Sequence, residues 1–268
     1  MVLDAGTIIE AETSIRLSAF FAILVGMALL ELLAPRRPLS TGRGRRWVAN
    51  LGLVVFNSAL LRLAFPLAAT GVALLAAERG WGLLAFFDID GWGAVLIALV
   101  ALDLAIYLQH RLFHAVPLLW RLHRVHHADL DLDVTSGVRF HPIEILISMV
   151  IKFAVIAALG APLLAVIVFE VVLNATSMFN HSNLNIPPSV DRWLRLLVVT
   201  PDMHRVHHSL EKSEVDTNFG FNIPWWDRLF GTYLDQPAVG HDEMRLGIPE
   251  VRSAEDNAFT RLLLLPFR

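Results

Sequence analysis

The sequence predicts an all-α integral membrane protein of four to five transmembrane helices, with a histidine-rich cytoplasmic cap. Three observations predict it. Only 18% of the 268 residues are charged, against about 25% in an average soluble domain, and the mean hydropathy is +0.56. Several apolar stretches reach the roughly 20 residues that cross a hydrocarbon core. Ten of the eleven histidines fall between His110 and His208, clustered in the polar stretches that follow apolar runs. No linker or low-complexity tract divides the chain, so residues 1–268 form one membrane-embedded unit.

The first span runs from about Leu17 to Ala34 and stops at Pro35. The segment before it carries Asp4, Glu10 and Glu12 and no basic residue. A cleavable leader needs a positive start, so this span is expected to be retained. Next comes a loop with Arg36, Arg37, Arg43, Arg45 and Arg46, a positive-inside signal that places it in the cytoplasm and the N-terminus outside. A second run, 48–77, is interrupted at Pro66 and, at about 45 Å as a helix, is longer than the core requires, so a tilt or kink is expected. Glu78 to Asp90 reads as an outer interfacial loop, and a third span, 93–108, leads straight into histidines. The stretch 143–179 breaks at Gly160-Ala161-Pro162, which predicts a hairpin of two helices, 143–159 and 163–179, spanning or re-entrant. Lys152 and Glu170 stand at equal distances from that break, so the hairpin brings them to one depth as an ion pair. Residues 180–268 form the cap. Ser253 with Asp256 signals a helix start before a stretch ending in Leu262–Leu265, expected on the membrane surface.

Composition also excludes. A net charge of −3 gives no basic field for nucleic acid. With no cysteine, disulfides and thiolate ligands are ruled out, leaving nitrogen and oxygen donors for any metal. Only Lys152 and Lys212 among the basic residues are lysine, which with the Ala and Leu richness points to a GC-rich bacterial genome, so that the membrane expected is a bacterial inner membrane.

The histidines carry the chemistry. His110 and His114 are four apart, and the pentapeptide HRVHH occurs twice, as His123, His126, His127 and as His204, His207, His208. On helices these spacings place the imidazoles of each box along one side. Pro117 suits an early helical position before the second box, and Thr200-Pro201 is a cap and first residue before the third. One tetrahedral zinc uses at most four imidazoles. Eight box histidines, with His141 and His181 beside them, suffice for two metals with open positions. Activation of O₂ there requires redox-active iron rather than zinc, which would mark mis-loading. No box contains the HExxH of a metalloprotease. A metal-binding or transport protein is the alternative, but transport sites lie near the midplane, and these boxes follow the spans. A lipid-binding protein without catalysis is disfavoured by three intact boxes.

These motifs resemble the fatty acid hydroxylase/sterol desaturase superfamily, in particular its compact bacterial members. The likeness runs from Asp103 to Tyr233, about half the chain. It includes HRLFH at His110, LWRLHRVHH ending at His127, RFHPIE at His141, FNHSN at His181, TPDMHRVHH ending at His208, and NFGFNIPWWDRLFGTY from Asn218. The resemblance implies a dinuclear metal centre that uses O₂ and external electrons to oxidise lipid C–H bonds. It implies that His110, His114, His123, His126, His127, His204, His207 and His208 are the catalytic ligands and His181 a further one. His141 is either a ligand or a residue that orients one; His241, outside every motif, is expected at the surface. The resemblance favours hydroxylation over desaturation. Acyl chains, sterol-like lipids, carotenoids and alkylglycerols all remain open as substrates.

Metal-bound imidazoles need a partner on the other nitrogen. Asp103 and Asp227 are the expected partners, ahead of Asp129, Asp131, Asp133, Glu144, Asp202 and Asn218, most of which read as solvated loop charges or spare polar groups. Trp120, Trp225, Trp226 and Phe230 are expected to anchor the cap at the interface. No G-x-G-x-x-G follows a strand and no HPGG haem motif occurs, so a separate ferredoxin, cytochrome or reductase would supply electrons. The arginine loop could dock such a partner, although topology alone accounts for it.

Overall fold

The computed structural model describes residues 5–268, with side-chain surroundings from Ala11 onward. The expectation of a retained, outward N-terminus rests partly on Met1–Asp4, which lie outside the described residues. The helices are α1 (Ala5–Leu33), α2 (Arg43–Ala64), α3 (Ala68–Arg79), α4 (Leu83–Phe86), α5 (Gly91–Ala115), α6 (Pro117–His127), α7 (Pro142–Leu159) and α8 (Leu163–Asn180). The cap continues with α9 (Pro188–Leu194), α10 (Pro201–His207), α11 (Lys212–Val215), α12 (Trp225–Leu229), α13 (Gly240–Glu243) and α14 (Phe259–Leu264). Five stretches are long and apolar enough to cross a membrane: Ala11–Leu33, Arg43–Phe86, Gly91–Ala115, Pro142–Leu159 and Leu163–Asn180.

The second stretch is 44 residues long and bends where the sequence lacks a donor. Pro66 has no N–H to give the preceding turn, so α2 ends at Ala64 and α3 restarts at Ala68. Small residues then let helices approach closely. Ala69 and Ala73 of α3 pack with Ala94 and Ala98 of α5, Ile156 of α7, and Ala165 and Phe169 of α8. At the end of the bundle away from the histidines, Gly82 (φ +98°) and Gly160 (φ +68°) touch backbone to backbone. A Cβ on Gly82 would lie 2.0 Å from the Gly160 nitrogen, so neither turn admits a side chain.

Four charged side chains meet between α1, α7 and α8. Lys152 Nζ lies 3.0 Å from Glu170 Oε1, as the hairpin predicts, and Arg16 of α1 joins the pair at 3.0 Å from Glu170 Oε2 and 2.7 Å from Glu12. Glu31 accepts the backbone N–H groups of Val134 and Asn183, each at 2.7 Å, which ties the end of α1 beneath the cap.

The arginine loop, read from sequence as a topological signal, is also tied into the cap. Arg46 is 1% exposed and forms two bonds with Asp129, at 2.7 and 2.9 Å, and one with Asp133 at 2.7 Å. Asp131 accepts the backbone N–H groups of Ser40 and Thr41. The three aspartates expected at the surface are therefore buried, and they hold the start of α2 against the segment after α6. Burial alone would raise the Asp129 carboxyl, but Arg46 and Arg139 outweigh it and hold Asp129 well below the usual range. Arg36 reaches Asp202 and Asp242, Arg37 reaches the carbonyls of His241 and Met244, and Arg45 reaches Glu255. Four of the five arginines thus have intrachain partners.

The C-terminal segment also departs from expectation. Ser253 caps only a short 3₁₀ turn, Ala254–Asn257, and Ala258 is extended (ψ 144°) before α14 begins. Leu262 and Leu265 pack against Ala49 and Leu53 of α2 and Val125 of α6, so this segment fastens the cap to the bundle. Leu264 and Phe267 alone of its large apolar residues are strongly exposed.

Candidate metal centre

Local sequence brings the three boxes to one end of the bundle. The last turn of α5 carries His110 and His114. Val116 is extended and Pro117 restarts the chain as α6, which carries the second box. The Thr200 side chain accepts the N–H of Met203 and Pro201 follows, so α10 starts where the sequence predicts, three residues before His204. His181 stands just past the last turn of α8.

Nine histidines converge in two adjoining groups. His110, His114, His123, His127 and His207 form one, and His126, His181, His204 and His208 the other; within each group the donor atoms lie within 4.8 Å of one another. The boxes do not each face one point. Each i, i+4 pair stays together, 110/114 and 123/127 in the first group and 204/208 in the second, while His126 and His207 cross over. Adjacent helical residues are about 100° apart, so the last two histidines of HRVHH must diverge.

Six of the nine imidazoles are oriented through Nδ1, while Nδ1 of His127, His204 and His208 is buried without a partner. That nitrogen in His110 donates to Phe219 O at 2.8 Å, in His126 to Arg139 O at 3.0 Å, in His181 to Ser177 O at 2.8 Å, and in His207 to Thr217 O at 2.7 Å. In His123 it faces Glu144 Oε1 at 2.6 Å, and in His114 Asp216 Oδ1 at 3.1 Å. A carbonyl or carboxylate only accepts, so the proton sits on Nδ1 and Nε2 bears a lone pair. Yet Nε2 of His110 lies 3.1 Å from Nε2 of His123, and Nε2 of His126 lies 3.0 Å from that of His181. Nε2 of His207 is buried without a partner. Two lone pairs at that distance share no proton. Two nitrogens each about 2.1 Å from one ion, at about a right angle, take this separation. The donor set fits metal cations. Burial first, and then the neighbouring imidazoles, holds His126, His127, His204, His207 and His208 well below the ordinary histidine value. Burial pulls His181 down to about 3. Neutral imidazole is the ligating form.

The structure leaves His141 out of both groups. It caps α7, its Nδ1 accepting the N–H of Ile143 and its Nε2 donating to Leu263 O, so neither nitrogen is available to an ion. His241 is not at the surface: it is 6% exposed, 3.7 Å from Asp202, and burial lowers it to about 4. Asp103 touches no imidazole; it accepts from Trp226 Nε1 at 2.7 Å. Asp227 acts at one remove, accepting the N–H groups of Phe219 and Gly220, each at 2.8 Å, and so fixing the segment whose carbonyl receives His110. The direct carboxylates are Glu144, which was not favoured, and Asp216, which the sequence did not suggest. Neither has a readable spacing from its histidine, being 21 and 102 residues away. Trp120 is not only an anchor, since its ring lies 4.8 Å from His114 and 5.2 Å from His127. Trp225 and Phe230 remain largely exposed.

Glu144→Gln tests the carboxylate. The amide presents either a weaker acceptor or a donor to His123 Nδ1, so metal affinity is expected to fall roughly 10- to 100-fold. Competition with a chelator of known affinity measures it; unchanged retention would show that Glu144 does not hold His123.

A cavity of about 280 Å³ begins at His110, His123 and Glu144 and extends between α2, α5, α7 and α8 to Lys152 and Glu170. A second, of about 680 Å³, shares Arg16, Phe20, Ser58 and Glu170 with it and continues between α1 and α2. Leu17, Phe21 and Val55, at its rim, are exposed on the apolar flank of the bundle.

The fatty acid hydroxylase family model matches residues 95–232, which contain every histidine but His241. The chain belongs to the fatty acid hydroxylase family. Among curated relatives of the family, the ornithine lipid hydroxylase OlsE of Rhizobium tropici is 32% identical over 183 residues, 67% of this chain and 53% of that protein. An alkylglycerol monooxygenase of Xenopus tropicalis is 27% identical over 143 residues, 52% of this chain and 30% of its own length. A cholesterol 25-hydroxylase of Rattus norvegicus is 31% identical over 144 residues, 53% and 47% of the two chains. The chain therefore spans about half the length of the curated relatives it matches, or less. No solved structure gives a significant match.

Proposed function

We propose that the chain is an O₂-dependent lipid hydroxylase with two iron ions, one in each histidine group. His110, His114, His123, His127 and His207 would hold the first, and His126, His181, His204 and His208 the second. The observation that carries this reading is the facing of Nε2 lone pairs in two adjoining groups, one of which borders a cavity leading into the apolar bundle. Membrane-lipid hydroxylases among the relatives support the reaction class. When bound, the iron pair would use O₂, two electrons and two protons to place one oxygen atom in a C–H bond, the other leaving as water.

The chain's own residues do the rest. Carbonyls of Phe219, Arg139, Ser177 and Thr217 keep a proton on Nδ1 and the lone pair on Nε2. Glu144 holds the His123 proton at the mouth of the cavity. Phe113, Phe140 and Phe221 line the cavity beside the histidines and keep water from the bound carbon. Only the five-histidine group touches the cavity lining, so the substrate carbon meets that group. The histidines sit at helix ends rather than at mid-span, as a transport site would. The arginines share that end of the bundle, which supports a centre facing the cytoplasm of a bacterial inner membrane. Electrons would come from a separate ferredoxin, cytochrome or reductase.

Elemental analysis of detergent-purified protein is the test. About two metal ions per chain, with iron supporting turnover of extracted membrane lipid and incorporation of label from heavy-isotope O₂, is the expected result. Well-folded protein that binds no metal after iron reconstitution would overturn the proposal.

A further inference from the structure

Two stripes of polar side chains run down the cavity into the apolar bundle. On α7, Glu144, Ser148 and Lys152 follow at four-residue intervals, and on α8, Ser177, Asn174 and Glu170 at three and four. Both stripes line the same cavity. They lead from the carboxylate that holds His123 to the buried Lys152–Glu170 pair, and eight helical residues set that depth at about 12 Å. A purely apolar lipid chain would gain nothing from such a wall, and polar groups inside a bilayer are costly unless matched.

The far end has donors to spare. The Lys152 ammonium has three N–H groups, and Glu170 is its one hydrogen-bond partner among the described residues. The acceptors there are already engaged, since Glu170 faces both Lys152 and Arg16, and Glu12 faces Arg16 and accepts the Thr70 hydroxyl. Two cations and two carboxylates balance. An anionic ligand would leave an uncompensated charge within the bundle, whereas a neutral oxygen would take a spare N–H without upsetting that balance.

We propose that this cavity binds lipids bearing a neutral acceptor oxygen, a hydroxyl or a carbonyl, received by Lys152 about 12 Å along the molecule from the carbon that meets the histidines. The end that meets the histidines rests on the hydroxylase reading; the oxygen site at Lys152 stands without it. Lys152 is then a specificity-determining residue, and it selects which carbon of a chain lies beside His110 and His123 by fixing where the oxygen must sit. The lateral opening between α1 and α2 reaches the same junction, at Arg16 and Glu170, so an entering lipid meets the selecting group before the histidines.

The test is binding, which needs neither iron, O₂ nor reductant, so its failure would leave the hydroxylase reading standing and the reverse. Tritiated hexadecanol, hexadecane and palmitate are equilibrated with the full chain in nanodiscs, with empty nanodiscs as the partition reference. Hexadecanol is expected to bind about tenfold more tightly than hexadecane, the value of one hydrogen bond to a charged donor, and more tightly than palmitate. Lys152→Met is expected to remove the preference and Lys152→Arg to keep it. Ser148→Leu, which fills the cavity midway without touching a charge, is expected to weaken binding of all three probes. Equal binding of hexadecanol and hexadecane by the unaltered chain would overturn the proposal. So would tighter binding of palmitate, a preference that survives Lys152→Met, or binding indifferent to Ser148→Leu. If Lys152→Met fails to fold, the unaltered chain and Ser148→Leu decide.

Discussion

The His181→Ala protein is expected to retain about one metal ion per chain where the unaltered protein retains two. Its Nε2 lies 3.0 Å from that of His126, 3.2 Å from His204 and 3.1 Å from His208, at the middle of the four-histidine group. Removing it leaves three donors around a gap, while the five-histidine group keeps its full set. Lipid hydroxylation is expected to fall by more than the roughly 100-fold that follows loss of an outer hydrogen-bonding partner. The paired control is His141→Ala. It belongs to the same histidine-rich stretch, but both of its nitrogens serve the α7 cap and Leu263, so both ions should remain and only stability should fall. Elemental analysis of the two variants decides. Metal lost from His141→Ala and kept by His181→Ala would invert the assignment.

Arg46→Leu is expected to be the most destabilising single change, by about 3–5 kcal/mol, because it strands buried carboxylates. Asp129 and Asp133 are each 0% exposed and would lose their bonds to the guanidinium, leaving charge in a dry interior. The damage should reach the metal centre, since the segment that Arg46 holds continues to Arg139, whose carbonyl orients His126. Arg45→Leu, one residue away, is the comparison. Its pair with Glu255 is exposed on both sides, and such pairs contribute at most about 1 kcal/mol. Thermal unfolding in one detergent measures both. Equal losses would show that the buried network is not what distinguishes these neighbours.

Much of the fold is written in composition. Apolar runs and their breaks at Pro35, Pro66 and Gly160 locate the helices because a bilayer requires uninterrupted backbone bonding and proline and glycine interrupt it. The Lys152–Glu170 pair was legible for the same reason: two charges equidistant from a tight turn have nowhere else to go. Box histidines were legible as a set, but their division between two groups was not drawn from the sequence. It follows from the 100° between His126 and His127, which spacing alone could have supplied. Glu144 and Asp216 were hidden because tertiary contacts carry no sequence interval. His141 misled by adjacency: it neighbours the boxes along the chain, yet helix capping satisfies it. The arginine loop carried a second role that its charge pattern does not show. Its charge pattern speaks of topology, while the burial of Arg46 depends on an alternating run of aspartates 83 residues away.

The two donor sets are assembled from residues that the ribosome makes late. The four-histidine group draws one residue from the stretch after α5 and three from 181 to 208, and the five-histidine group waits for His207. The carbonyls that orient His207 and His110 arrive later still, at Thr217 and Phe219. Neither group is complete until residues 207 and 208 have been made. All five apolar stretches, the last ending at Asn180, precede that point in the chain. A chain ending before residue 207 would therefore present neither donor set complete, though its helices would already be made.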